Sequence, residues 1–215
     1  MIVTNVMAAS IDGYIASEHL EPDERRHESG FTSEADREFV REQIKNADAI
    51  ITGADSMRAS SGAWEQKGRN GQYPHWMVYT NQGLGKDLDF WKQSHIPRTL
   101  VSPKPLGAMV DLEVKSLIYG SDRPGAAALD YFSDLKIERI LLFGGGFINK
   151  IFYNENLVDE LKITLCPTII GLGDAPRLVA PTLKQPVNMY LLSSQVVDNF
   201  VFLHYRILKN LNPIL

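Results

Sequence analysis

One cysteine, Cys166, is all that 215 residues contain, so an internal disulfide and any zinc site built from several thiolates are excluded. A zinc-dependent deaminase, which needs a His-x-Glu and a Pro-Cys-x-x-Cys, is excluded with them. Cys166 is expected to be a buried bystander, and a chain with one thiol suits a reducing cytoplasm. Nor is there a basic stripe: the formal charge is -4, with Lys and Arg scattered, so nucleic acid is not an expected partner. No apolar run approaches the roughly 18 residues that a membrane span requires, and the first residues carry no basic region or cleavage site. No membrane association or targeting is expected. Gly-x-Ser-x-Gly, a Walker loop and a complete Gly-x-Gly-x-x-Gly are all missing. His19, His27, His75, His95 and His204 have no metal-binding spacing, so no metal is expected.

What is present is enough apolar residue, 44%, to bury a full core in one domain spanning 1–215. Its most informative stretch is Ile140-Leu141-Leu142-Phe143, which stops on Gly144, Gly145 and Gly146 and is followed by Phe147, Ile148, Ile151 and Phe152. The pattern predicts strand, tight turn and helix. Glycines let backbone amides approach a ligand, and the helix start favours an anion such as phosphate. A glycine-rich connection without a ligand has the same pattern.

Taken in order, 2–9 predicts a buried strand that ends in the turn Ser10-Ile11-Asp12-Gly13. Residues 18–30 mix acids, Arg, His, Pro and Gly without periodicity and predict a solvated loop. Ser33 opens a helix whose apolar face is Phe39, Val40, Ile44 and Ala47. Further strands are predicted at 48–53, 75–80, 97–101, 112–118, 140–143 and 158–165, with a helix over 125–135. The last third, 189–193 and 200–206, reads as two more strands. The sum is an α/β chain: a mostly parallel central sheet, helices on both faces and an antiparallel C-terminal edge. Ligands of such sheets sit beyond the carboxyl ends of the strands. Four such ends, Ala9-Ser10, Gly53 to Ser56, Thr80-Asn81 and Gly144 to Gly146, are rich in small or hydroxyl residues.

These stretches, with 7–16, 47–53, 141–146 and 157–173, resemble the RibD C-terminal reductase family over nearly the whole chain. That resemblance implies a dihydrofolate reductase-like fold, a homodimer and a cytoplasmic NADPH-dependent oxidoreductase. The implied reaction is hydride transfer in riboflavin synthesis, on 5-amino-6-(5-phosphoribosylamino)uracil or a related heterocycle. It puts Ala9 and Ile15 beside the nicotinamide and Gly53, Ala54 and Ser56 at the pyrophosphate. Thr80 and Asn81 fall near the 2′-phosphate, and Gly144, Gly145, Gly146, Phe147 and Ile148 against the remaining phosphate and ribose. Thr32 and Tyr14 fall on the small-molecule substrate.

The substrate half departs from the family pattern. Tyr14 stands where the riboflavin reductases have Lys, Ile44 where they have Arg, and Gly144 where they have an acid. Arg37, Arg41 and Arg58 are nearby sources of the missing charge. Asp12 is the candidate catalytic acid, although Asp before Gly also serves simply to shape a turn. Two other readings stay open: a pterin-type reductase of another substrate, and a dinucleotide-binding protein without turnover. The acidic 17–30 loop is expected to cover the substrate side, and the strands at 189–193 and 200–206 to form the dimer contact.

Overall fold

The computed structural model describes residues 1–107, 114–120 and 122–209. At its centre is one nine-stranded sheet in the order β5-β4-β3-β2-β6-β1-β7-β9-β8. The strands are β1 (Ile2–Ser10), β2 (Ala49–Gly53), β3 (His75–Tyr79), β4 (Arg98–Ser102), β5 (Lys115–Ile118), β6 (Arg139–Gly144), β7 (Glu160–Cys166), β8 (Met189–Val197) and β9 (Phe200–Ile207). Every pairing from β5 to β7 is parallel, and the β7-β9 and β9-β8 pairings are antiparallel. This is the sheet predicted from the sequence; residues 112 and 113 of the fifth predicted strand lie outside the described residues.

Both faces of the sheet are covered, as the continuous apolar runs of its parallel strands require. On one face α5 (Pro124–Asp134) and α6 (Gly146–Asn154) bury Phe132 and Phe152 against Val3, Ile51 and Leu142. On the other, α2 (Glu34–Lys45), α3 (Ala54–Ser60) and the short α4 (Asp89–Lys92) bury Ile44, Met57 and Phe90 against Ile50, Trp76 and Leu100. Truncating one of these fully buried phenylalanines to alanine typically costs about 3–5 kcal/mol, so the layers are interdependent.

The short helix α1 (Asp23–Glu28) corrects the expectation of a structureless loop over 18–30. Glu21 is also buried there, accepting hydrogen bonds from the Ser17 amide and hydroxyl, both at 2.8 Å. Phe200 and Phe202 both point inward, against Phe31 and Cys166. Burial pushes the Cys166 thiol up to about 12, consistent with a structural rather than a nucleophilic cysteine.

Candidate active site

A cleft of about 680 Å³ opens at the carboxyl ends of β1, β2, β3 and β6, the part of the sheet where strand order reverses. Its volume is typical of small-molecule sites. Of the sequence-predicted residues, Ile15, Thr32, Gly53, Ala54, Ser56, Thr80, Asn81, Gly145, Gly146, Phe147 and Ile148 all line it. Ala9, Asp12, Tyr14 and Gly144 do not. Ala9 is packed in the core, and its neighbour Ala8 reaches the cleft instead.

The glycine turn is shaped by close approach. Gly144 has φ +68°, and a Cβ there would stand 2.3 Å from Asn149 Oδ1. Asn149 is fully buried: its Nδ2 donates to the Leu178 carbonyl at 2.8 Å, and its Oδ1 accepts from Asn5 Nδ2 at 3.2 Å. The acid expected before the paired glycines therefore has no room in this chain. A Cβ on Gly146 would stand 2.3 Å from the Arg177 carbonyl oxygen, whereas one on Gly145 would meet only Ser56 Oγ, at 3.7 Å. Gly145 and Gly53 are the N-caps of α6 and α3, and neither helix start has a side-chain cap. Uncapped amides beside a bare turn suit a phosphate or pyrophosphate.

Thr80 shapes the adjoining turn: its hydroxyl donates to the Gly83 carbonyl at 2.8 Å and accepts from the Gln82 amide at 3.3 Å, while Asn81 is exposed at the rim. Asp12 is committed on the far side of the β1 turn. Its carboxylate accepts from Ser10 Oγ (2.6 Å) and from the amides of Ile170 (3.1 Å) and Gly171 (2.8 Å). The Ser10 bond above all, with the two amides, holds it below the usual carboxylate range. An anion so bound fastens two loops together; it does not face the cleft.

Of the acids that do line the cleft, two are buried: Glu21, which is spent on Ser17, and Asp36, in the first turn of α2 and only 6% exposed. Ser33 Oγ accepts from its amide at 3.2 Å and so fixes the helix start. Burial pushes the Asp36 carboxyl up, with the Thr164 hydroxyl and the Arg26 charge acting in the opposite direction. Sequence reading missed Asp36 because it occupies the capping-box position, where an acid is ordinarily a solvated helix-start residue. Of the three arginines weighed from sequence, Arg41 lies outside the cleft and pairs with Glu34 and Glu38. Arg58 lines the cleft but pairs with Asp55 at 2.6 Å. Arg37 lines it beside Asp36.

Arg177 also lines the cleft, and nothing in the sequence singled it out. Its guanidinium carbon lies 4.3 Å from the centre of the Tyr14 ring, and its Nη2 donates to the Tyr14 hydroxyl at 2.5 Å. Glu18, His19, Leu20, Glu21, Asp23 and Arg26 also line the cleft, so the 17–30 segment borders it. Among the described residues no cluster of His, Cys, Asp or Glu is arranged to hold a metal, and no helix is long and apolar enough to cross a membrane.

Comparison with known proteins agrees with this architecture. A 2,5-diamino-6-ribosylamino-4(3H)-pyrimidinone 5′-phosphate reductase from Archaeoglobus fulgidus is 28% identical over 187 residues, 80% of this chain and 83% of that protein. The structure of a pyrimidine reductase-like protein from Corynebacterium diphtheriae superposes with a TM-score of 0.83 at 16% identity, covering 97% of this chain and 92% of the other. Dihydrofolate reductase from Enterococcus faecalis, solved with NADP(H), gives a TM-score of 0.58 at 14% identity, covering 96% of each chain. These two likenesses establish a dihydrofolate reductase-like fold. The model of the RibD C-terminal domain matches residues 1–203, and the chain belongs to that family.

Proposed function

We propose that this protein is an NADPH-dependent reductase of a phosphorylated ribosylaminopyrimidine, the reaction class carried in the name of its archaeal relative. The observation that carries the reading is the joining of two unlike features in one cleft: an uncapped glycine turn and a buried carboxyl, Asp36. The amides at Gly145 and Gly146, with Gly53 to Ser56, would hold the pyrophosphate, and Asn81 would reach the 2′-phosphate. When bound, the nicotinamide supplies hydride. Ile15, Thr32 and Arg37 line the cleft and, on this reading, would face the acceptor. Asp36 keeps a proton available at its carboxyl, because burial favours the neutral form. Adding hydride to carbon requires a proton at the neighbouring heteroatom, and a buried acid is suited to provide it. Asp12 then has a structural role, tying the β1 turn to the 170–171 backbone.

A ligand that binds only the folded state at 100 times its Kd stabilises by about 2.7 kcal/mol, roughly 5–10 °C in Tm for a chain this long. NADPH at that excess is expected to raise Tm by this amount. No shift with NADPH or NADH would overturn the dinucleotide assignment; a shift with NADH alone would remove only the 2′-phosphate role of Asn81.

The protein acts, on this reading, as a homodimer joined through β8. Among the described residues that strand is paired on one side only, and its Tyr190, Leu191 and Val196 are 62%, 46% and 68% exposed. Exposed edges of this kind are ordinarily covered, and a second copy offers an isologous match. Light scattering at tens of micromolar should give twice the chain mass, and replacing Tyr190 with Glu should give monomers. A monomer for the unmodified protein would refute the interface.

A further inference from the structure

We infer that Arg177, displayed on Tyr14, is the residue that selects a phosphomonoester on the substrate. The inference rests on the reductase reading of the cleft and extends it to the substrate's charge.

Segment 176–180 is tied down at three points: the Ile15 amide donates to the Pro176 carbonyl at 2.8 Å, the Leu178 amide to the Gly13 carbonyl at 3.0 Å, and the Ala180 amide to the Gly146 carbonyl at 3.1 Å. Arg177 is therefore anchored between the β1 turn and the glycine turn. Its side chain is held as well, the guanidinium plane by the Tyr14 ring and one nitrogen by the Tyr14 hydroxyl. Tyr14 itself is 5% exposed, so the ring is a floor beneath the cation and not a surface of the cleft.

No salt bridge among the described residues involves Arg177, unlike Arg58, whose charge Asp55 neutralises. A cation that faces a cleft, fixed in orientation and without a carboxylate, has unspent hydrogen-bonding capacity. A guanidinium presents parallel N–H donors that match two oxygens of a phosphate, and immobilising it beforehand lowers the entropic penalty of binding. The phosphate could belong to the substrate or to the dinucleotide. The assignment to the substrate follows from the side chain, which is stacked on the residue immediately before Ile15, whereas the Arg177 backbone abuts Gly146 of the glycine turn, so the NADPH arm of the test decides between the two.

The test compares the unmodified protein with Arg177→Met and Tyr14→Phe, using thermal shift with NADPH, thermal shift with ribose 5-phosphate, and KM for a ribosylaminopyrimidine with and without its 5′-phosphate. For Arg177→Met the expected result is an unchanged NADPH shift, loss of the ribose 5-phosphate shift, and a KM at least 30-fold higher for the phosphorylated substrate only. Tyr14→Phe keeps the ring and removes the acceptor, so an increase of about 3–10-fold is expected. Equal loss of the NADPH shift in Arg177→Met would assign the cation to the dinucleotide and overturn the inference, as would an unchanged ribose 5-phosphate shift. Absence of any NADPH shift in the unmodified protein is a different result, which defeats the reductase reading itself.

Discussion

Replacing Asp36 with Asn is expected to lower kcat by about 10²–10³-fold and, at pH values above the Asp36 titration, to raise Tm, because the change removes a proton donor and, once the carboxyl ionises, a buried charge. The folded-state pKa of Asp36 is raised by burial, so its protonated form is the one the fold favours. Its contribution to stability is fully present below the ordinary carboxylate pKa and is lost as pH rises through the folded value. Above that folded value the ionised carboxylate is a liability that asparagine does not share. The kcat profile of the unmodified enzyme should fall with rising pH through the Asp36 titration, and that limb should be absent from the variant. Asparagine is close in shape to aspartate, so NADPH should still raise Tm by the same amount. A variant that binds NADPH and turns over at the original rate would show that Asp36 is not the proton donor.

The second large effect concerns the glycine turn, where two adjacent residues should behave differently. Gly146→Ala forces a Cβ to 2.3 Å from the Arg177 carbonyl and 3.1 Å from Ala180. That carbonyl cannot retreat cheaply, since the neighbouring Pro176, Leu178 and Ala180 are hydrogen-bonded to Ile15, Gly13 and Gly146. Overpacking of this kind costs about 1–3 kcal/mol, roughly 2–12 °C in Tm, and should displace the turn and abolish the NADPH shift. Gly145→Ala adds a Cβ with only Ser56 Oγ near it, at 3.7 Å, so the fold should keep its Tm while NADPH affinity falls. Differential scanning fluorimetry of the pair, with and without NADPH, reads both quantities. Equal Tm values for Gly146→Ala and the parent would mean that the 176–180 segment is not held against the turn.

The strands, their mostly parallel pairing with an antiparallel edge, and the position of the cleft were legible because they follow from local pattern. Apolar runs ended by small residues marked the strand ends, and a parallel sheet leaves little choice about where its ligand lies. The residues that face the substrate were less legible, for reasons that differ from one to the next. Asp12 was drawn as an acid at the reacting centre, yet its carboxylate faces amides 158 and 159 positions away, a contact no spacing rule reveals. Arg177 lies in an irregular stretch with no periodicity, and only the fold brings it onto Tyr14. The departures at Tyr14 and Gly144 were visible in the sequence, whereas their physical reasons, a stacked guanidinium and a buried asparagine, required the structure.

The first strand sits in the middle of the sheet, and both of its neighbours come from the second half of the chain: Ile2 pairs with Arg139 and Thr4 with Glu160. During synthesis β2, β3 and β4 can begin to associate as they emerge, because each pairs with the next in sequence. The slot between β6 and β7, however, cannot close until about residue 166 has left the ribosome. At typical elongation rates that delay is on the order of ten seconds, during which β1 has no native strand to pair with. The central position that gives β1 its ligand-facing end therefore also makes it the longest-waiting element of the nascent chain, and the segment with most to gain from a chaperone.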